Sequence, residues 1–213
     1  HRVDRRQRQM CIRDRSSGPG LSGLAVIRIS GDKCIEIVKK MTKGDLPTPR
    51  VATLRKIKKI KSEELIDEGI ILWFPGPNSY TGEDLLELHV HGGRAVIDAI
   101  LKSISEISDC RIAEPGEFTK LAFLNGKINL LEAESISDLI SSETEIQRRQ
   151  ALDIMSGYHG KKYEAWRSKL LKILSNIEAK IDFPEEDLPK NILNDIVKIS
   201  VSYTHLTLPT IYS

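Results

Sequence analysis

Phe74-Pro75-Gly76-Pro77-Asn78-Ser79-Tyr80-Thr81-Gly82-Glu83-Asp84 runs straight into Leu85-Leu86-Glu87-Leu88-His89-Val90-His91-Gly92-Gly93. The prolines, glycines and asparagine of the first segment force a turn-rich loop. The second segment alternates. Leu86, Leu88 and Val90 face one way and Glu87, His89 and His91 the other, which is the period of a half-buried strand. Gly92-Gly93 then opens a helix to about Ile107 with Val96, Ile97, Ile100 and Ile104 inward. The near-continuous apolar run Gly69-Ile70-Ile71-Leu72-Trp73-Phe74 ahead of the loop predicts a buried central strand. Strand, loop, strand and helix in this order predict an α/β domain.

Working outward, Leu24 to Ser30 reads as a short β-branched strand. Ser30 is placed to cap a helix whose Cys34, Ile37, Val38 and Met41 keep helical spacing, and Pro47 and Pro49 end that unit. Val51 to Ile60 is a lysine-rich strand of edge character, and Cys110 to Ala113 a further short strand. After Pro115 the texture becomes helical. Amphipathic patterns cover Leu130–Met155 and Lys161–Ile181, broken at Ser156-Gly157, and an acidic stretch from Asp182 to Asp187 precedes a helix at Ile192–Ile199. The expected organisation is an α/β domain over 16–120 followed by the first part of an all-helical domain over 121–200, the boundary lying near 115–128.

The 213 residues carry 40% hydrophobic and 29% charged residues, with no apolar run long enough to span a membrane and no secretory h-region. Three cysteines far apart in sequence, with no C-x-x-C, fit a reducing cytoplasm. The net charge of +2 hides an asymmetry: residues 1–15 hold six arginines and two aspartates, which leaves −2 for the rest and no basic field for nucleic acid. Residues 1–15 contain no lysine, whereas 16–200 prefer lysine to arginine. Arg8-Gln9-Met10-Cys11-Ile12-Arg13-Asp14-Arg15, and the end from Val201 to Ser213, resemble translated sequencing-adapter read-through. Residues 1–15 and 201–213 are therefore expected to lie outside the native fold, with the part between them a fragment truncated on both sides.

Several residues carry possible chemistry. Glu87 on a rigid strand can accept two parallel N–H bonds from a planar guanidine-like edge, or belong to a solvated strand face. His89 and His91 can begin a metal site but lack a third ligand nearby, so ordinary polar histidines serve equally well. Gly92-Gly93 permits close approach of backbone to a ligand or another chain, or a plain tight turn. Arg28 interrupts an apolar strand and must pair internally, emerge at an edge or meet an anion. Lys127 follows an Asn125-Gly126 turn at the junction of the two regions, either solvated or lining a pocket. Gly157-Tyr158-His159-Gly160-Lys161-Lys162 has the wrong spacing and no hydroxyl for a phosphate-cradling G-x-x-x-x-G-K-[ST] loop.

The loop and strand at Phe74–Gly93, together with Glu114-Pro115-Gly116-Glu117-Phe118-Thr119, Phe123-Leu124-Asn125-Gly126-Lys127 and Ser17-Gly18-Pro19-Gly20 through Gly31, resemble the N-terminal region of the MnmE (TrmE) family. Two positions depart from that family: Ser17-Gly18 stand where it often has two prolines, and Leu121 where it has an arginine. The resemblance implies an α/β domain that is similar to the folate-binding domain of aminomethyltransferases, binds 5-formyl-tetrahydrofolate and forms a homodimer. A helical domain interrupted by a G domain follows in that family, and GTP, Mg and K belong to that G domain. The resemblance implies tRNA and an MnmG-type flavoprotein as partners, GTP hydrolysis in tRNA wobble-uridine modification, and no GTP activity in this chain alone. It implies no catalytic or metal-ligating residue here, and it points to Arg28, Glu87 and Lys127 as the folate contacts: a carboxylate for the pterin and two cations for anionic or carbonyl groups. A free-standing folate-dependent aminomethyltransferase-like protein and an interaction module without a ligand are the alternatives.

Overall fold

The computed structural model describes residues 11–18, 20 and 22–182, which form two compact units, the first ending at Ala133 and the second starting at Glu134. The first unit is built on a six-stranded mixed sheet. Its strands are β1 (Cys11–Arg15), β2 (Ala25–Ser30), β3 (Thr53–Lys58), β4 (Leu65–Phe74), β5 (Leu85–Val90) and β6 (Cys110–Ile112), in the order β3-β4-β5-β2-β1-β6. All neighbours run antiparallel except β1 and β6.

The alternation in β5 decides the layering. Leu86, Leu88 and Val90 are buried together with Ala25, Ile27 and Ile29 of β2 and Ile71 of β4. Helices α1 (Cys34–Thr42) and α2 (Arg94–Ile104) close this face with Cys34, Ile37, Val38 and Met41, and with Ile97, Ile100 and Ile104. Each aliphatic side chain fully removed from water here contributes about 1.5–3 kcal/mol. Among the described residues the opposite face is covered at one end only. There Phe118 of α3 (Glu117–Leu124) joins Ile12 and Leu85, with Phe74, Ala113 and Leu121 packed beside them. The remainder of that face stays open and carries the polar residues of β2 and β5.

Five expectations are corrected. Cys11–Arg15, placed outside the fold by composition, form a strand hydrogen-bonded on both sides, with Ile12 opposite Ser30 and Cys11 opposite Cys110. Alternating burial explains it, since Cys11 and Ile12 are both buried, one on each face. Ser30 does not cap α1: Lys33 holds the N-cap position, and the Ser30 hydroxyl turns into the interior toward Thr81. β4 is next to the edge, and its Ile70 is 40% exposed on the open face. The Leu130–Met155 pattern breaks into α4 (Leu130–Ser141) and α5 (Glu145–Met155), because Thr144 and Gln147 form a reciprocal capping box that starts a new helix. The first unit also reaches past residue 120, because Phe118 and Ala122 bury α3 in it. Gly157, at φ +77, separates α5 from α6 (Tyr158–Asp182). Along α6, Tyr163, Leu170, Leu174, Ile177 and Ile181 are exposed at helical spacing. The acidic stretch after Asp182, the helix at Ile192–Ile199 and the tail from 201 lie outside the described residues.

Candidate functional site

A row of side chains crosses the open face of the sheet. Asp14 of β1 stands opposite Arg28 of β2, Arg28 opposite Glu87 of β5, and Glu87 opposite Leu72 of β4. Arg28 donates from Nε to Asp14 Oδ1 at 3.3 Å and from Nη2 to Asp14 Oδ2 at 3.0 Å. Its guanidinium also lies 4.5 Å from the ring centroid of Phe118, a cation–π contact worth about 0.5–1 kcal/mol near a surface. Glu87 hydrogen-bonds through Oε2 to His89 Nε2 at 3.1 Å, and both side chains are 24% exposed. Arg28 and Glu87, singled out from the sequence, are thus brought side by side.

The histidines, in contrast, do not converge. His91 lies past the end of β5, where its Nδ1 and its backbone N–H each meet Asp67 at 2.8 Å. Burial works to raise the Asp67 carboxyl, but these bonds from His91 outweigh it and hold the group below the usual carboxylate range. Gly92 approaches the backbone of Ser22 in the same chain. The three cysteines, distant in sequence, meet in the fold: the Cys110 thiol is pushed up by contact with the Cys11 thiol and then by burial.

Lys127 stands against the loop that precedes β5. It follows α3, its N–H donates to Ala122 O at 2.8 Å, and its stem lies against Gly82 in the loop that leads into β5. That loop is held at several points. Ser30 Oγ lies 2.7 Å from the buried Thr81 Oγ1 and donates to Glu83 Oε2 at 3.3 Å. Tyr80 Oη and Thr119 Oγ1 are 3.0 Å apart, and Asp84 Oδ1 accepts from Gly76 N at 2.9 Å. Burial pushes the Glu83 carboxyl up, the Ser30 hydroxyl opposes this, and the charge of Asp32 adds to the rise. Arg111 and Glu117 form a two-pronged ion pair that ties β6 to the start of α3 and so sets the position of Phe118 under Arg28.

Sequence reasoning missed Asp14, Phe118, Thr81 and Asn125. Asp14 belongs to a segment set aside on composition. The others act through contacts across 40 or more residues, such as Asn125 Nδ2 to Thr81 O at 2.6 Å, which no local pattern announces.

Comparison with known proteins gives a consistent result. Residues 11–127 match the family described as GTP-binding protein TrmE N-terminus, and residues 130–207 match the MnmE helical domain. The tRNA modification GTPase MnmE of Pelagibacter ubique (strain HTCC1062) is 64% identical over 191 residues, 90% of this chain and 43% of that protein. The mitochondrial 5-taurinomethyluridine-tRNA synthase subunit GTPB3 of Danio rerio is 49% identical over 182 residues, covering 85% of this chain and 36% of that protein. The MnmE of Rickettsia akari (strain Hartford) is 47% identical over 181 residues, 85% of this chain and 41% of its own length. The chain spans less than half the length of each of these relatives.

Proposed function

Since this chain belongs to the MnmE (TrmE) family, we propose that it serves a tRNA-modification GTPase as the part that binds a reduced folate and forms a homodimer. The observation that carries the folate reading is the pair Arg28 and Glu87, cross-strand neighbours on the sheet face that the helices leave open. A folate of the 5-formyl-tetrahydrofolate type presents a planar N–C–N edge and anionic carboxylates. A partly exposed carboxylate on a rigid strand fits the first, because it can accept two parallel N–H bonds. Arg28 and Lys127 fit the second, and Lys127 makes no ion pair among the described residues. When bound, the folate supplies a one-carbon unit; this chain's residues bind and orient it.

GTP hydrolysis with Mg and K, contact with tRNA and pairing with an MnmG-type flavoprotein belong in this reading to the longer family protein. Within the 213 residues the closest approach to a phosphate loop, Gly157 to Lys162, passes directly into the first turns of α6 with no preceding strand. No helix among the described residues is long and apolar enough to cross a membrane. Three free thiols fit a cytoplasmic setting.

Calorimetric titration with 5-formyl-tetrahydrofolate tests the assignment. Glu87→Gln keeps the shape but replaces one acceptor oxygen by a donor, which is expected to cost about 1–3 kcal/mol of binding. Unchanged affinity in a variant with native circular dichroism would remove Glu87 from the site.

A further inference from the structure

Three segments that the sequence keeps apart meet at Thr81. Its hydroxyl is buried against Ser30 Oγ at 2.7 Å, and Ser30 lies two residues beyond Arg28 on the same side of β2. Its carbonyl accepts from Asn125 Nδ2 at 2.6 Å, and Asn125 lies two residues before Lys127. The next residue, Gly82, sits at φ +80, where a side chain is strained. A Cβ there would come within 3.1 Å of both Asn125 Cβ and Lys127 Cε. The missing side chain lets the Asn125 amide and the Lys127 stem lie on the loop backbone together. Through Thr81 the turn carrying Lys127 is thereby connected to the strand carrying Arg28.

We infer that Asn125 is a positioning residue, which through its bond to the Thr81 carbonyl holds Lys127 on the Gly82 surface so that its ammonium is presented to the ligand; this rests on the reduced-folate reading above. An unlatched lysine has several freely rotating bonds and loses that entropy on binding, whereas a latched one has already lost part of it. The Asn125 amide is suited to the task because it donates to a carbonyl without adding a charge that would compete for the ligand. Gly82 is the second half of the device, since a Cβ there would press on both the Asn125 side chain and the Lys127 stem at 3.1 Å.

The test combines a double-mutant cycle on the full chain with a measurement that needs no ligand. Asn125→Leu removes the amide donor at similar volume, and Lys127→Met removes the cation but keeps the stem. Each is expected to weaken binding of 5-formyl-tetrahydrofolate by about three- to tenfold, the range set by one hydrogen bond. The double variant is expected to be no weaker than Lys127→Met alone, because Asn125 acts through Lys127. Losses that multiply in the double variant overturn the inference, since a merely structural defect would add to the loss of the cation. Gly82→Ala, which leaves the Asn125 donor in place, is expected to weaken binding likewise, and native circular dichroism of each variant guards against misfolding. Without ligand, Asn125→Leu is expected to speed amide hydrogen exchange at Lys127, whose N–H is bonded to Ala122 O; unchanged exchange there overturns the latch even if folate binds. A wild-type chain that binds no folate overturns the folate reading, and the exchange result then decides the latch alone.

Discussion

Arg28 and Glu87 are register partners across β2 and β5, yet each turns its charge away from the other. The Arg28 guanidinium faces Asp14, with Nη2 3.0 Å from Oδ2, and the Glu87 carboxylate faces His89 at 3.1 Å. Two opposite charges on adjacent strands are therefore kept from neutralising each other. A ligand with a donor edge and an anionic group can engage both, but it meets Asp14 as a rival for Arg28.

That rivalry makes a prediction. Asp14→Asn removes the competing charge while keeping the side chain's shape. With the Arg28 and Asp14 side chains 28% and 26% exposed, the pair is worth under about 1 kcal/mol in stability. The variant is expected to fold normally and to bind 5-formyl-tetrahydrofolate about two- to fivefold more tightly. Calorimetry on the two chains decides it; weaker binding would mean that Asp14 aims Arg28 rather than competes for it.

Glu117 offers a prediction in pH. Hydrogen bonding from Arg111 holds its carboxyl below the usual range, against an opposing effect of burial. The folded-state value therefore lies below the unfolded one. The stabilisation is complete above the unfolded value, near 4.5, and is lost as pH falls through the folded value. Glu117→Gln is expected to destabilise the first unit by about 1 kcal/mol at pH 7, discounted for the partial exposure of Arg111. The difference should shrink to nothing in acid. Of the two tryptophans, Trp73 and Trp166, only Trp73 lies in the first unit, so its fluorescence in a Trp166→Phe background reports this unfolding. A difference that persists undiminished below pH 3 would assign the effect to packing rather than to the ion pair.

Much of the fold was legible where a periodic pattern coincided with one buried face. The inward sets of β5, α1 and α2 could be read residue by residue because a single apolar layer covers them. Partners across the sheet could not. Nothing local to Ser30 tells whether its hydroxyl caps the helix that follows or reaches Thr81, 51 residues away. β4 read as fully buried because Ile70 and Leu72 are apolar, although the face they share with His89 and Glu87 is uncovered. Composition failed at β1 because its charges find partners on both faces: Asp14 pairs with Arg28 on the open face, and the buried Arg13 donates from Nη1 to the Cys110 carbonyl on the other. At the site, residue types could nominate Arg28, Glu87 and Lys127 individually, but the connections through Phe118, Thr81 and Asn125 exist only in three dimensions.

Gly69 supplies a packing prediction. It lies in β4 opposite Arg55, where a Cβ would run into the backbone carbonyl of His89 and come 3.1 Å from Val90 Cγ1. The obstacle is mostly backbone, so no rotamer change relieves it. Gly69→Ala is expected to force β4 from β5 and to cost about 1–3 kcal/mol, read as a lower denaturation midpoint. Because β5 carries Glu87 and His89, folate affinity should fall with it. A fully stable variant would show that the two strands separate at no cost.

The last prediction concerns the proposed homodimer. β3 forms one edge of the sheet and leaves a row of backbone groups unpaired. Lysines at 56 and 58 discourage indiscriminate pairing, but Leu54 is 65% exposed and stands opposite the 40% exposed Ile70. Val51, 50% exposed, lies just before β3. An edge with such a patch favours a two-fold contact between identical chains, in which each patch faces its own copy. The exposed stripe of α6 is a competing source of association, so the two must be separated. Leu54→Glu is expected to weaken the dimer at least about tenfold, as losing a buried apolar anchor to a charge would. Leu170→Glu with Leu174→Glu is expected to leave it intact. Sedimentation velocity over a range of micromolar concentrations distinguishes the outcomes. A monomeric wild-type chain would end the proposal, and a dimer sensitive only to the α6 substitutions would move the contact from the sheet edge to the helices.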